Sequence, residues 1–184
     1  YGLVGSEMCI RDRAIRYYLR AVELDPNLGR AYANLAAIHI NLGQREAGEK
    51  YCQMAVARID RMSDREKYKT LGIYYLMAGN PRKAIEELSM LVKQYPADSA
   101  GIKNLALAYF YRRDLPRALE VGRRAIEIYP KNVTGRSNVA LYAMYAGDFG
   151  TAAHEARTVI EMNPAWELAY VALALSELAQ GHPA

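Results

Sequence analysis

Two cysteines in a chain of 184 residues are too few for a disulfide framework or a multi-cysteine zinc site. Seven prolines and thirteen glycines are likewise too few for a disordered or collagen-like chain. Tryptophan occurs once and phenylalanine twice, against fifteen tyrosines. Neither sign of charge dominates. The 24 Lys and Arg are interspersed with 20 Asp and Glu, so nothing here announces a nucleic-acid binder. No apolar run approaches the roughly 18 residues of a membrane span. What is present is 52% apolar content in a length that suits one domain with a proper core. A soluble, globular, helical protein is expected.

The first dozen residues fit no pattern that follows them. Leu3-Val4-Gly5-Ser6-Glu7-Met8-Cys9-Ile10-Arg11-Asp12 matches, codon by codon, a common transposase-based sequencing adapter, and Gly2 and Arg13 share its flanking bases. The resemblance implies that residues 1–13 are foreign to the fold and that the natural N-terminus is missing. Cys52 is then the only native cysteine. The charge balance is untouched, because Glu7 and Asp12 offset Arg11 and Arg13.

From there on the chain repeats. Pro96, Pro130 and Pro164 are spaced by 34 residues each, while Pro26 precedes Pro96 by 70, two periods plus two residues. Asp60 takes the place of the missing proline, and the two extra residues fall in Arg61-Met62-Ser63-Asp64. A turn column holds Gly43, Gly79, Arg113, Gly147 and Gly181. Small residues recur at Ala36, Gly72, Ala106, Ala140 and Ala174, each after Leu35, Leu71, Leu105, Val139 or Leu173. The second half of each period carries Ala14, Gly48, Ala84, Ala118 and Ala152, then Ala21, Ala55, Leu91, Ala125 and Val159 seven residues on. Apolar residues at these spacings make amphipathic helices of about 14 residues, and the small ones let paired helices approach. One such pair cannot bury its apolar face alone, so neighbours must stack. Gly48 and Gly122 are expected to weaken their helices somewhat.

This pattern resembles the tetratricopeptide repeat, best over residues 65 to 96 with Leu71-Gly72, Tyr75, Gly79, Ala84 and Pro96. Tyr32, Tyr68, Ile102, Arg136 and Tyr170 replace the signature tryptophan. The resemblance implies an all-α, right-handed superhelical solenoid of antiparallel helix pairs. Its units are a half unit at 14–28, full units at 29–60, 65–96, 99–130 and 133–164, a half unit at 167–180, and a tail at 181–184. An array that begins and ends on half a unit is expected to leave apolar side chains uncovered, among them Ala169, Leu173 and Leu178.

Catalytic constellations are not found. His39, His154 and His182 are scattered, with no partner at metal spacing. Cys52 lies in an interior column, where a lone thiol is inert. Arg112-Arg113-Asp114-Leu115 imitates the kinase catalytic loop, yet Leu119 stands where its metal-binding asparagine belongs, and Asp114 suits a helix cap. Asn132-Val133-Thr134 forms a glycosylation triplet at a repeat junction, where a capping role is expected. Arg112, Arg113, Arg123, Arg124, Lys131 and Arg136 make the central units basic, diluted by Asp114, Glu120 and Glu127. Nucleic-acid binding is accordingly not expected, nor any metal or cofactor.

In the family resembled, the first helices line a concave groove that holds peptides. Carried over by column, that groove contains Asn34, Ala37 and Asn41, then Lys69, Ile73 and Leu76. Next come Lys103, Asn104, Leu107 and Tyr111, and finally Ser137, Asn138, Leu141 and Tyr145. The column of Asn34, Asn104 and Asn138 offers amides that both donate to and accept from a peptide backbone. Ile73 and Leu107 stand where a clamp for a terminal carboxylate needs asparagine beside Lys69 and Lys103. The implied ligand is therefore anchored by apolar side chains. Ile73, Leu76, Leu107 and Leu141 suit an inter-helix core equally well.

Two functions follow from the resemblance. One is a non-catalytic, cytoplasmic scaffold that binds a partner protein or peptide. The other is the C-terminal regulatory region of a larger bacterial signalling enzyme. Arg61-Met62-Ser63-Asp64-Arg65-Glu66-Lys67 with Tyr74-Tyr75 and Ala84-Ile85-Glu86 resembles repeat regions that follow some serine/threonine kinases. Similar arrays follow adenylate cyclase domains.

Overall fold

The computed structural model describes the backbone of residues 2–181 and the side chains of residues 12–181. His182 and the side chains of residues 2–11, the bulk of the adapter-like segment, lie outside the described residues. Regular structure among the described residues is helical throughout. The helices are α1 (Gly2–Leu24), α2 (Gly29–Asn41), α3 (Arg45–Val56), α4 (Asp64–Met77), α5 (Pro81–Gln94), α6 (Ser99–Tyr111), α7 (Leu115–Ile128), α8 (Val133–Tyr145), α9 (Phe149–Met162) and α10 (Glu167–Ala179). A single 3-10 turn, Ile59–Arg61, follows α3. The chain divides into two compact units, Tyr1–Asn80 and Pro81–Ala184. In each, every helix packs on the next in sequence; in the second, α8 also touches α6 and α10.

The turn column ends the first helix of each pair. Gly43, Gly79 and Gly147 have φ between 67° and 78°, the left-handed region in which a side chain is strained. After α2, the Gly43 N–H donates to the Ile40 carbonyl and the Gln44 N–H to the His39 carbonyl, which satisfies two orphan acceptors. The same two bonds recur at Gly79-Asn80, Arg113-Asp114 and Gly147-Asp148. Asp114 and Asp148 then also start the next helix, accepting from the N–H groups of Arg117 and Thr151. One residue thus closes one helix and opens the following one. Arg113 makes this bend at φ 64° without being glycine. Arg113→Gly is expected to raise stability by about 0.5–1 kcal/mol, read as a higher urea midpoint; an unchanged or lower midpoint would contradict the strain.

The small and apolar columns form the core. Leu35, Leu88, Leu91, Ile102, Val139 and Val159 are fully buried, as are Ala84, Ala118 and Ala152. Gly48 and Gly122 are more than weak helix formers. A Cβ at Gly48 would come 2.8 Å from Ile40 Cγ1, and one at Gly122 2.9 Å from Val139 Cγ2. The lost side chain is what allows the crossing.

Three details depart from the ruler. Helix α3 has 12 residues where α5, α7 and α9 have 14. The extra length between repeats runs through the 3-10 turn, and it delivers Met62 into the core beside Tyr32 and Ala55. On α10, the residues expected to lie uncovered are only partly so. Ala169 is buried and Leu173 packs against Ala140, Ala156 and Ala172, because that side of the helix faces α8 and α9. The exposed stripe is Leu168, Val171, Leu175 and Leu178. Finally, Arg136 in the tryptophan column reaches across to α9 and pairs with Glu155 at 2.5 Å.

Candidate functional site

In the first unit, α2 and α4 enclose a cleft of about 250 Å³. Three of the groove residues expected from the sequence line it together: Asn34, Lys69 and Ile73. Asn41 lies apart, exposed at the end of α2, and Leu76 is half-buried outside the lining. Arg30, Arg65, Glu66 and Thr70 complete the wall. Ser63 positions Glu66 through a capping box, its backbone N–H donating to Glu66 Oε2 at 3.0 Å. Partial desolvation pushes the Glu66 carboxyl upward, but the Ser63 hydrogen bonds with Arg30 and Arg65 outweigh it and hold it below the usual carboxylate range. The ionised Glu66 meets Arg30 at 3.4 Å. Arg65 and Lys69 leave the cleft with an excess of positive charge. Thr70 is buried and donates to the Met62 sulfur, so the cleft floor rests on the connection before α4.

In the second unit the expected residues lie on α6 and α8. Lys103, Asn104, Leu107, Asn138 and Leu141 are half-buried, and Leu141 packs against the core cluster around Tyr142. Ser137 is not open to a ligand: it is buried, and its hydroxyl accepts from the Trp166 indole N–H at 2.9 Å. Tyr111 and Tyr145 are 55% and 52% exposed, enough for each to offer a ring face. Phe110, absent from the sequence-based set, organises them. Its ring stacks on buried Tyr142 at 4.9 Å, meets Tyr145 edge to face at 5.3 Å and lies 6.0 Å from Tyr111. Burial pushes the Tyr142 phenol well above its ordinary range, and the nearby Tyr111 adds to the shift. Its hydroxyl has no hydrogen-bond partner among the described residues.

The three family-model matches decide the matter: tetratricopeptide repeat models fit residues 69–133, 140–184 and 17–49. The chain belongs to the tetratricopeptide repeat family. Solved structures of tetratricopeptide repeat (TPR) proteins share its fold. One, a thermophilic TPR protein from Thermus thermophilus, is 19% identical with a TM-score of 0.72 over 96% of this chain and 95% of that one. Another, YrrB, a TPR protein with an unusual peptide-binding site, is 19% identical with a TM-score of 0.59 over 91% of this chain and 85% of that one. The second TPR domain of human RPAP3, solved with the HSP70 peptide SGPTIEEVD, is 18% identical with a TM-score of 0.60 over 62% of this chain and 95% of that one. No curated protein matches this sequence.

Other chemistry-bearing groups of the TPR chain are built into its packing. His39 is half-buried, hydrogen-bonds Gln44 through Nδ1 and stacks on Tyr51 at 5.2 Å. Burial pushes the Cys52 thiol up to about 11, which keeps it protonated and unreactive at neutral pH. Asn132 caps α8, accepting from the Gly135 N–H at 2.8 Å. Among the described residues no three metal-ligating side chains converge, and no helix is long and apolar enough to cross a membrane. Arg117, Arg123 and Arg136 of the basic middle are each paired with a carboxylate.

Proposed function

We propose that this TPR chain is a protein-interaction scaffold that holds a segment of a partner protein against its first helices and performs no chemistry itself. The observation that carries the reading is the α2–α4 cleft, where the Asn34 amide, the Lys69 ammonium and the Ile73 side chain meet. An amide in that position suits a peptide backbone, and an apolar wall suits its side chains. Peptide binding by the second RPAP3 domain and the peptide-binding site of YrrB support the reading by likeness of fold. With Ile73 and Leu107 in place of asparagine, the ligand is an internal segment anchored by apolar side chains rather than a terminal carboxylate.

The test is selection of a random dodecapeptide library against the whole chain, followed by calorimetry on the peptides obtained. Asn34→Ala is expected to weaken binding about three- to tenfold, as loss of one hydrogen-bonding amide should. A selection that yields no peptide, or peptides indifferent to Asn34→Ala and Lys69→Ala, removes the proposal.

A further inference from the structure

The turn between α6 and α7 differs from its counterparts. Where the other turns read Leu42-Gly43, Ala78-Gly79, Ala146-Gly147 and Gln180-Gly181, this one reads Arg112-Arg113. Arg113 is the one non-glycine residue in the left-handed region among the described residues. Glycine makes the same bend elsewhere, so the bend itself does not require an arginine. Both arginines are exposed, and neither pairs with a carboxylate among the described residues. The adjacent acid, Asp114, is itself engaged, pairing with Arg117 at 3.6 Å.

The aromatic ledge adjoins this turn, since Tyr111 immediately precedes the arginines. Phe110 holds Tyr111 and Tyr145 around itself, each with half its surface open. An open aromatic surface beside two unpaired cations has a defined complement: a large apolar side chain flanked by carboxylates. A nucleic-acid strand would need a longer cationic track, and Arg123 and Arg136 of the same unit are already paired.

We propose that the Arg112-Arg113 turn and the ledge of Tyr111, Phe110 and Tyr145 form an anchor for a partner segment that carries an aromatic side chain between acidic residues. This inference rests on the peptide-binding reading above and adds to it the chemistry of the ligand. The ring seats on the tyrosine faces, and the acids meet the two guanidinium groups.

The probe is a fluorescein-labelled synthetic pentapeptide of one phenylalanine flanked on each side by two glutamates, titrated with the full chain. Matched peptides replace the glutamates by lysine or the phenylalanine by alanine, and a labelled oligouridine serves as the nucleic-acid control. The acidic peptide is expected to bind at least about tenfold tighter than the others, less so as salt is added. Arg112→Gln with Arg113→Gln is expected to weaken it about tenfold, and Tyr145→Ala by a similar factor. Arg113→Gly separates fold from function, as it should weaken binding while raising the urea midpoint. Failure of the acidic peptide to bind, equal binding of acidic and lysine peptides, preference for oligouridine, or indifference to the arginine variants would each overturn the anchor. If library-selected peptides still respond to Asn34→Ala in those cases, the anchor alone has failed; if the library yields none, both proposals have.

Discussion

Glu155→Ala is expected to lower stability by about 3 kcal/mol, the cost of leaving one charge of a buried pair alone. The Glu155 side chain is 10% exposed and that of Arg136 is 17%, so each has little access to water in the fold. Arg136 Nε is already committed to the Pro130 carbonyl at 2.7 Å, which holds the guanidinium in place. Loss of the carboxylate therefore strands a fixed cation between α8 and α9. At this chain length such a loss corresponds to a fall in Tm of roughly 6–12 °C. Replacing both partners, Arg136→Met with Glu155→Leu, should recover most of it, because no charge then remains to be solvated. A fall in Tm of only a degree or two for Glu155→Ala would mean that the pair behaves as a surface contact, like Arg20 with Glu23.

Ala106→Trp is expected to cost about 3 kcal/mol or more, and its origin is steric rather than electrostatic. Ala106 is buried against Ala118, Leu119, Val139 and Tyr142, where α6, α7 and α8 meet. An indole there needs far more volume than a methyl group leaves, and a close-packed interior supplies it only by moving its neighbours. Far-UV circular dichroism followed through a urea titration reads the effect. Retention of the parent midpoint would show that the small-residue column does not set the spacing of these helices.

The sequence carried the fold through its columns, since small, apolar and turn positions repeat with the period of the helix pair. Asp114 and Asn132 as caps were legible for the same reason: both sit where a helix must begin. The pairing of Arg136 with Glu155 was not. A column says which positions are equivalent but not which side chain on the next helix lies opposite, and Arg136 is one of several basic residues in the central units with nothing in the pattern to single it out. Met62 was missed because it lies in the two-residue excess, where the ruler has no column. The gathering of Asn34, Lys69 and Ile73 follows from their columns. The acidic member of that cleft had its own signal, Ser63 three residues before Glu66, which is the spacing of a capping box. Phe110 and Tyr142 carried none, because ring stacking depends on side-chain direction that periodicity does not record.

The aspartates shared by two of the turns have a consequence for how such a chain can change length. Asp114 and Asp148 each bond to two helices at once, so the three-residue turn between the pair is held at both ends. One residue inserted or deleted there would swing the following helix by roughly 100° about its axis and turn its apolar face to water. The connection after α3 behaves differently: it has already taken up two residues by winding Ile59–Arg61 into a 3-10 turn and burying Met62. Insertions and tags therefore belong in the joints between repeats, while the joints inside them have a fixed gauge.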